Sequence, residues 1–599
     1  MQNIMSRAGG RLVRAALCSA VAAAAVLALS VSAQAQVKIN KTSVVPYRFL
    51  PSLSALPQAT LGQAAGNAEA LPHRVPVDPL TFSAMQSQAL APGALMKGAV
   101  QVVPRPAAGL APVKAPKETW NLTVAPEAVF DGISNSSCGA VNGGLIFRPS
   151  DMALAVGDTA NGVLQGVNDC LSVFDKSGVQ QAGFPKATPT FFGVDAIKNP
   201  NTSDPRMIFD WINHRYYFVV ISYPNSCATQ CTTAAFYNLA VSQGDDPTGA
   251  WCMYQLNVAS GPNPNGGVFF LPDFPRLGQD RQAVYLASNL FQPNFVGEEI
   301  IALKKTDLMG ACGSTITQTS FTGPTVNSGF FTIQPANIFS PYDDPKSMYF
   351  ISSAFGTSNQ INVAAIHDPF GTPTYTQTSA TATNTYSLPP GSTQKGTATL
   401  IATGDTRISG TAMYAAGSIY AALTTNVGGS PAEPGIILYE VQPFVDTSGG
   451  TNDGKIVSAK ILNEIALNGG ASTGLFYPVQ QPDPEGNVTT VYGLAGTNNF
   501  ASVAYLSRRA GQTTGTVPDG GIILQNGLNS YVTANPQRWG DYFATAPAGM
   551  VSGGGTGGFP KMWFAGQYAS NTSGLWNTSI GRTGYNNISQ NLPVMTGSR

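Results

Sequence analysis

Arg215-Tyr216-Tyr217-Phe218-Val219, Ala283-Val284-Tyr285-Leu286-Ala287, Ser347-Met348-Tyr349-Phe350-Ile351, Ser418-Ile419-Tyr420-Ala421-Ala422, Thr490-Val491-Tyr492-Gly493-Leu494 and Lys561-Met562-Trp563-Phe564-Ala565 read as six copies of one short strand. Their aromatics, at 217, 285, 349, 420, 492 and 563, are 68, 64, 71, 72 and 71 residues apart. A near-constant step of that size marks a stacked or radial repeat. Gly162-Val163-Leu164-Gln165, 53 residues before Tyr217, reads as a seventh, weaker copy.

Working outward from the aromatic strands, each unit resolves into about four strands. The second is clearest: Arg206 to Phe209, Tyr216 to Ser222, Phe236 to Val241 and Trp251 to Val258, with turn residues at Pro224-Asn225 and Gly244 to Gly249. Four strands per unit without helical periodicity predict an all-β, seven-bladed β-propeller with four-stranded blades over 118–599. The unit exceeds the roughly 40–45 residues of a minimal blade, so long loops are expected, among them the Gly-rich run Ser552 to Gly558. Ring closure is expected from Asn121 to Ala125 beside Gly574 to Asn577.

Residues 1–35 carry Arg7, Arg11 and Arg14, an apolar run from Ala15 to Val31, and Ala33-Gln34-Ala35, the pattern of a secretory signal peptide. The protein is therefore expected to be secreted or periplasmic, without a transmembrane anchor. Residues 36–117, rich in Ala, Pro, Gln and Leu, read as a low-complexity spacer or pro-segment. Beyond Cys18 the chain holds Cys138, Cys170, Cys227, Cys231, Cys252 and Cys312, an even number that fits three disulfides in an exported protein. Six cysteines allow about 15 pairings. The expected set is Cys227–Cys231, Cys138–Cys170 and Cys252–Cys312.

Charge is scarce: 32 basic and 32 acidic residues make 11% of the chain, against roughly 25% in ordinary soluble domains. This excludes a basic groove for nucleic acid, and a monomer is expected. Against that background a second repeat precedes the aromatic strands: Arg148-Pro149-Ser150-Asp151, Asp204-Pro205-Arg206, Asp273-Phe274-Pro275-Arg276, Gln334-Pro335-Ala336-Asn337, Asp405-Thr406-Arg407, Gln481-Pro482-Asp483-Pro484 and Arg538-Trp539-Gly540-Asp541-Tyr542. The offset of about a dozen residues places these motifs at the innermost strands, facing the axis. Guanidinium forks bind carboxylates bidentately, and paired carboxyls supply an acid and a base. Arg206, Arg276, Arg407 and Arg538 are the expected clamp, with Tyr542 and Asp151 beside the ligand. Asp204, Asp273 and Asp541 are the expected proton carriers. The competing reading is a purely structural ring of turn-capping and blade-bridging ion pairs.

The string Ser150 to Gly157, then Asp204-Pro205-Arg206, Leu239 to Ser242 with Asp246 to Trp251, Phe274 to Gly278 and Arg538 to Tyr542 resembles a group of secreted bacterial seven-bladed propeller proteins related in fold to sialidases. The resemblance spans roughly 120–585 and implies the fold; the group is mostly without assigned activity. The sequence departs from true sialidases in lacking repeated Asp-boxes. Its nearest string, Ser242 to Trp251, is longer and occurs once, and only Tyr542 and Tyr568 stand as positional candidates for a nucleophilic tyrosine.

Three histidines, His73, His214 and His367, are too few and too scattered for a His-rich metal site or a Ser-His-Asp triad. No cofactor is expected. Asp446 to Gly454 has oxygens suited to structural calcium, although an Asx-rich turn has the same composition. The function expected is binding and processing of an extracellular polysaccharide or glycoconjugate, by hydrolysis or lysis. The alternative is a non-catalytic surface or matrix adhesion protein.

Overall fold

The computed structural model describes residues 37–56, 67–69, 74–89, 96, 98–107, 123–194, 199–258, 269–324, 328–340, 343–429, 432–484, 486–533, 537–548 and 561–584. Residues 1–35, read above as a signal peptide, His73 and the Ser552 to Gly558 run lie outside them. The fold is nearly all-β and is built of antiparallel meanders. Their innermost strands are Ala153–Val156, Asn201–Asp210, Leu271–Gln279, Phe330–Ile338, Ala412–Ala415, Thr473–Pro482 and Ala544–Ala548. In every meander the repeated aromatic strand is the next one out, and six of the seven carry their aromatic buried, from Tyr217 to Trp563. Each innermost strand packs beside the next, and Ala544–Ala548 packs back against Ala153–Val156, so the series closes on itself.

Alternation along the aromatic strands explains why they read as continuous apolar runs. In Arg215–Tyr223, Tyr216, Phe218 and Val220 join the core with Phe191 and Phe192 of the preceding meander. Tyr217, Val219 and Ile221 join Val284 and Leu286 of the following one. Both faces are covered, so both parities must be apolar.

The three disulfides form as expected: Cys138–Cys170, Cys227–Cys231 and Cys252–Cys312. Two other expectations are corrected. Closure comes from Ala128–Ser134, which pairs antiparallel with Trp576–Thr583, rather than from 121–125; the described part of that segment, Thr123 to Ala125, is irregular, with Thr123 bonded to Asp519. A strand must present successive backbone groups to the free edge, and the Phe130–Ile580 register does so.

The segment read as a spacer does not stand apart from the sheets. Lys38–Val44 pairs with Ile316–Thr322, Pro46–Leu50 with Trp251–Asn257, Val100–Gln101 with Leu467–Asn468, and Arg105–Pro106 with Ile522–Ile523. Four meanders thus carry a fifth, outermost strand. A sheet edge offers unpaired N–H and C=O groups to any extended chain, so pairing there needs no apolar period in the partner.

Candidate functional site

Inside the innermost strands the polar motifs sit on a repeated backbone irregularity. The strand pairing slips at Ser203/Arg206, Asp273/Arg276, Phe331/Gln334 and Phe476/Val479. Each slip contains one residue in the left-handed region: Asp204 (φ 58°), Phe274 (φ 55°), Thr332 (φ 61°) and Tyr477 (φ 51°). These are β-bulges, which re-aim side chains and cost on the order of 1–3 kcal/mol each in backbone strain. Proline follows three of the four, at Pro205, Pro275 and Pro478. Proline inside a strand is itself a bulge signal, and sequence reading missed it.

The bulge changes the correspondence between motifs. Asp204 is the counterpart of Phe274, not of Asp273, because each is the left-handed residue two before an arginine. Gln334 and Val479 are the counterparts of Arg206 and Arg276. The motif Gln481 to Pro484 lies at the far end of its strand, where Asp483 accepts from the Asn487 backbone and side chain in a turn. It takes no part in the cluster.

All nine predicted site residues come together near the axis, and eight are buried; Arg538 keeps partial exposure. Asp151 accepts from the Asp541 backbone N–H at 2.6 Å and from Asn168 Nδ2 at 2.9 Å. Asp204 accepts from the Phe274 N–H at 3.0 Å, while its own N–H donates to Asn168 Oδ1. Asn168, which no motif flagged, therefore bridges two meanders. Arg538 Nη2 donates to Asp541 at 2.6 Å. Arg407 forks onto Asp405, from Nε at 3.0 Å and Nη2 at 2.8 Å, and also donates to the Arg74 carbonyl at 2.7 Å. Asp273 acts on Asp204, Arg407 and Arg74 through its charge.

Phe274 is the hub. The guanidinium carbons of Arg276, Arg407 and Arg206 lie 3.4, 4.6 and 4.9 Å from its ring centroid, and Arg206 lies 3.2 Å from that of Tyr542. Ring faces attract cations, but three guanidinium groups on one ring also repel each other. Arg206 donates from Nε to the Pro275 carbonyl, leaving Nη2 without a hydrogen-bond partner. Arg276 is 1% exposed, and none of its three guanidinium nitrogens has a hydrogen-bond partner.

The electrostatics follow this geometry. Burial, then the neighbouring Arg206 and Arg407 charges, hold Arg276 well below the usual guanidinium range. Burial opposes the Arg407 charge as well, but Asp405 more than offsets it. Burial pushes the Asp151 carboxyl up to about 7, with Asp541 adding to the rise. Burial, followed by Asp273, Asp151 and Asp541, holds Asp204 well above the carboxylate range. The Tyr542 phenol is held above its usual range by burial and donates to the Pro205 carbonyl, which disfavours a phenolate nucleophile. Tyr568, on the second strand of its meander, donates to Asp131 of the outermost one.

Outside the cluster, His214 sits at an exposed turn against Asp158 (2.7 Å). In the Asp446 to Gly454 turn, Asp446 accepts from Ser448 and Asp453 pairs with Lys346 at 2.6 Å. Among the described residues no group of three or more His, Cys, Asp or Glu is arranged to hold a metal. No described helix is long and apolar enough to cross a membrane.

No protein-family profile matches the chain, and no curated protein does. Solved structures similar to it include the exo-β-1,3-galactanase of Phanerochaete chrysosporium (10% identity, TM-score 0.26, covering 75% of this chain and 95% of that one). A subtype N11 neuraminidase-like protein of A/flat-faced bat/Peru matches at 9% identity and TM-score 0.30, over 71% and 99%. An endo-arabinanase from Bacillus licheniformis matches at 13% identity and TM-score 0.23, over 60% and 93%. At these scores the likenesses carry no argument about this chain.

Proposed function

We propose that the meanders are the blades of a seven-bladed propeller and that its axial cluster binds an anionic group, the carboxylate of an acidic sugar in an extracellular polysaccharide or glycoconjugate. The observation that supports this is Arg276. Buried polar groups in native proteins are almost always hydrogen-bonded, and each exception calls for an explanation. A carboxylate seated between Arg276 and the free Nη2 of Arg206 would satisfy both in the bidentate geometry that guanidinium groups favour. Beside it, Asp204, held well above the usual carboxylate range by burial and its acidic neighbours, is the group suited to donate a proton, while Asp541, paired with Arg538, is placed to accept one. That division of roles suits glycoside hydrolysis or polysaccharide lysis. The protein would act after export through the leader at 1–35.

A second reading, a non-catalytic surface or matrix protein, is favoured by how many of the motifs pair among themselves. Arg407 with Asp405, Arg538 with Asp541, and Asp204 with the Phe274 N–H lock neighbouring meanders together. Titrating the full chain with oligogalacturonate and with a neutral oligosaccharide of the same length separates the readings. Acidic-sugar binding predicts uptake of the uronate alone and a loss of at least about tenfold in Arg276→Met, equivalent to about 1.4 kcal/mol. Equal response to both sugars, or unchanged binding in the variant, would overturn it. Release of reducing ends or unsaturated uronate marks the enzyme; binding without product marks the adhesion module.

A further inference from the structure

We infer that residues 74–86 form a built-in strap over the axial cluster, and that access to Arg276 requires the strap to lift. This rests on the axial cluster being the binding site. The N-terminal segment does not follow one side of the molecule. It pairs with the edges of the second and third meanders at 38–50 and, at 67–69, with Ile146–Arg148 ahead of the first. By Val100–Gln101 it has reached the edge of the fifth meander. The described residues between these points, 74–89, lie at the end where the innermost strands begin.

The contacts of the strap follow that path. The Arg74 side chain donates to Cys227 O (2.5 Å), Ala228 O and Pro293 O (3.1 Å), loops of the second and third meanders. Its carbonyl takes a hydrogen bond from Arg407, a member of the cluster, and it feels the Asp273 charge. Asp78 caps the helix Pro79–Ala89 through the Leu80 and Thr81 N–H groups. That helix sets Phe82 at 6.1 Å from Phe355, which stands edge-on to Phe331, a ring that Arg407 also approaches. Gln86 donates to Pro389 O at 3.2 Å. One short segment thus spans loops of three consecutive meanders and puts a backbone carbonyl on a cluster arginine.

The strap is also weakly held. Leu80 is 82% exposed, and the fixed points are carbonyl hydrogen bonds, the Arg74 guanidinium 5.6 Å from the Phe291 ring centroid and one tilted ring pair. Segments with few buried apolar contacts open at low free energy, so the strap is the part of the cover that can move without disturbing the ring.

Arginine labelling by phenylglyoxal, read peptide by peptide in the full chain, tests this without any sugar. In the wild type Arg206 and Arg276 should label far more slowly than the exposed Arg281. In Arg74→Ala/Phe82→Ala both should label about tenfold faster, with the thermal midpoint nearly unchanged. Phe82→Ser/Gln86→Ala, which leaves Arg74 intact, should act in the same direction and replaces the first variant if that one fails to fold. Unchanged protection of Arg276 in a folded variant, or wild-type labelling as fast as at Arg281, would overturn the strap. Faster labelling without oligogalacturonate binding in any form would leave the strap standing and sink the acidic-sugar reading; faster labelling with tighter binding supports both.

Discussion

Asp204-Pro205-Arg206 and Asp405-Thr406-Arg407 are the same Asp-x-Arg motif in sequence, at the starts of the second and fifth meanders, and they fold into opposite arrangements. Asp405 lies just before the bend at Thr406 and Arg407, ahead of its strand, and grips its own Arg407 in a closed fork. Asp204 lies inside its strand, in the left-handed region with proline after it. Its carboxyl therefore turns to the N–H of Phe274 in the next meander, and Arg206 is left to donate one bond to a carbonyl and cover Tyr542. The third meander goes further: Phe274 takes the position of the aspartate, and Arg276 has no acceptor at all. One backbone irregularity thus converts a self-contained ion pair into a pair of arginines with free donors.

Breaking the closed fork should have the largest effect. Arg407→Met strands the buried Asp405 carboxylate, and loss of one partner of a buried pair costs about 3–5 kcal/mol. The fall in denaturation midpoint measures it; a neutral result would mean that the fork is not closed in solution. Arg276→Met is the mirror experiment. It removes a buried charge that no acceptor satisfies, so stability should rise, by about 1–3 kcal/mol, while binding is lost. A variant as destabilised as Arg407→Met would show that Arg276 has a structural partner and would erase the contrast between the two arginines.

Asp204→Asn should be mildest, within about 1 kcal/mol at mildly acidic pH, because the amide oxygen still accepts from Phe274. Its signature is in the pH dependence. The folded protein holds the Asp204 proton well above the ordinary value of 3.8, where the unfolded chain releases it. Asp204 therefore lowers wild-type stability progressively as pH rises above about 4, and the variant should decline less steeply. Parallel pH profiles would show that Asp204 is not the proton holder.

The aromatic strands and the three disulfides were legible because they depend on local or periodic facts. Buried second strands need apolar residues on both faces, as at Tyr216 and Tyr217. The convergence of Asp151, Asp204, Asp273 and Asp541 with the four arginines was also legible, since a recurrent charge in a charge-poor chain must face one environment. The pairing within the cluster was not. Counting residues aligned Asp204 with Asp273, whereas the bulges align it with Phe274, and Gln481 to Pro484 matched by composition while lying at the wrong end of its strand. The edge strands at 38–50 and 100–106 left no signal because backbone pairing at a sheet edge asks little of the side chains.

The sequence by itself determined the repeat, its β character, the cysteine pairs and the set of charged residues gathered at the axis, because each follows from spacing and from what a buried strand requires. Only the tertiary structure decided which arginines pair with a carboxylate and which keep free donors, and that the segment 74–86 reaches the cluster at Arg407. Those outcomes depend on one left-handed residue per strand and on contacts between segments hundreds of positions apart, such as Arg407 with the carbonyl of Arg74, 333 residues away.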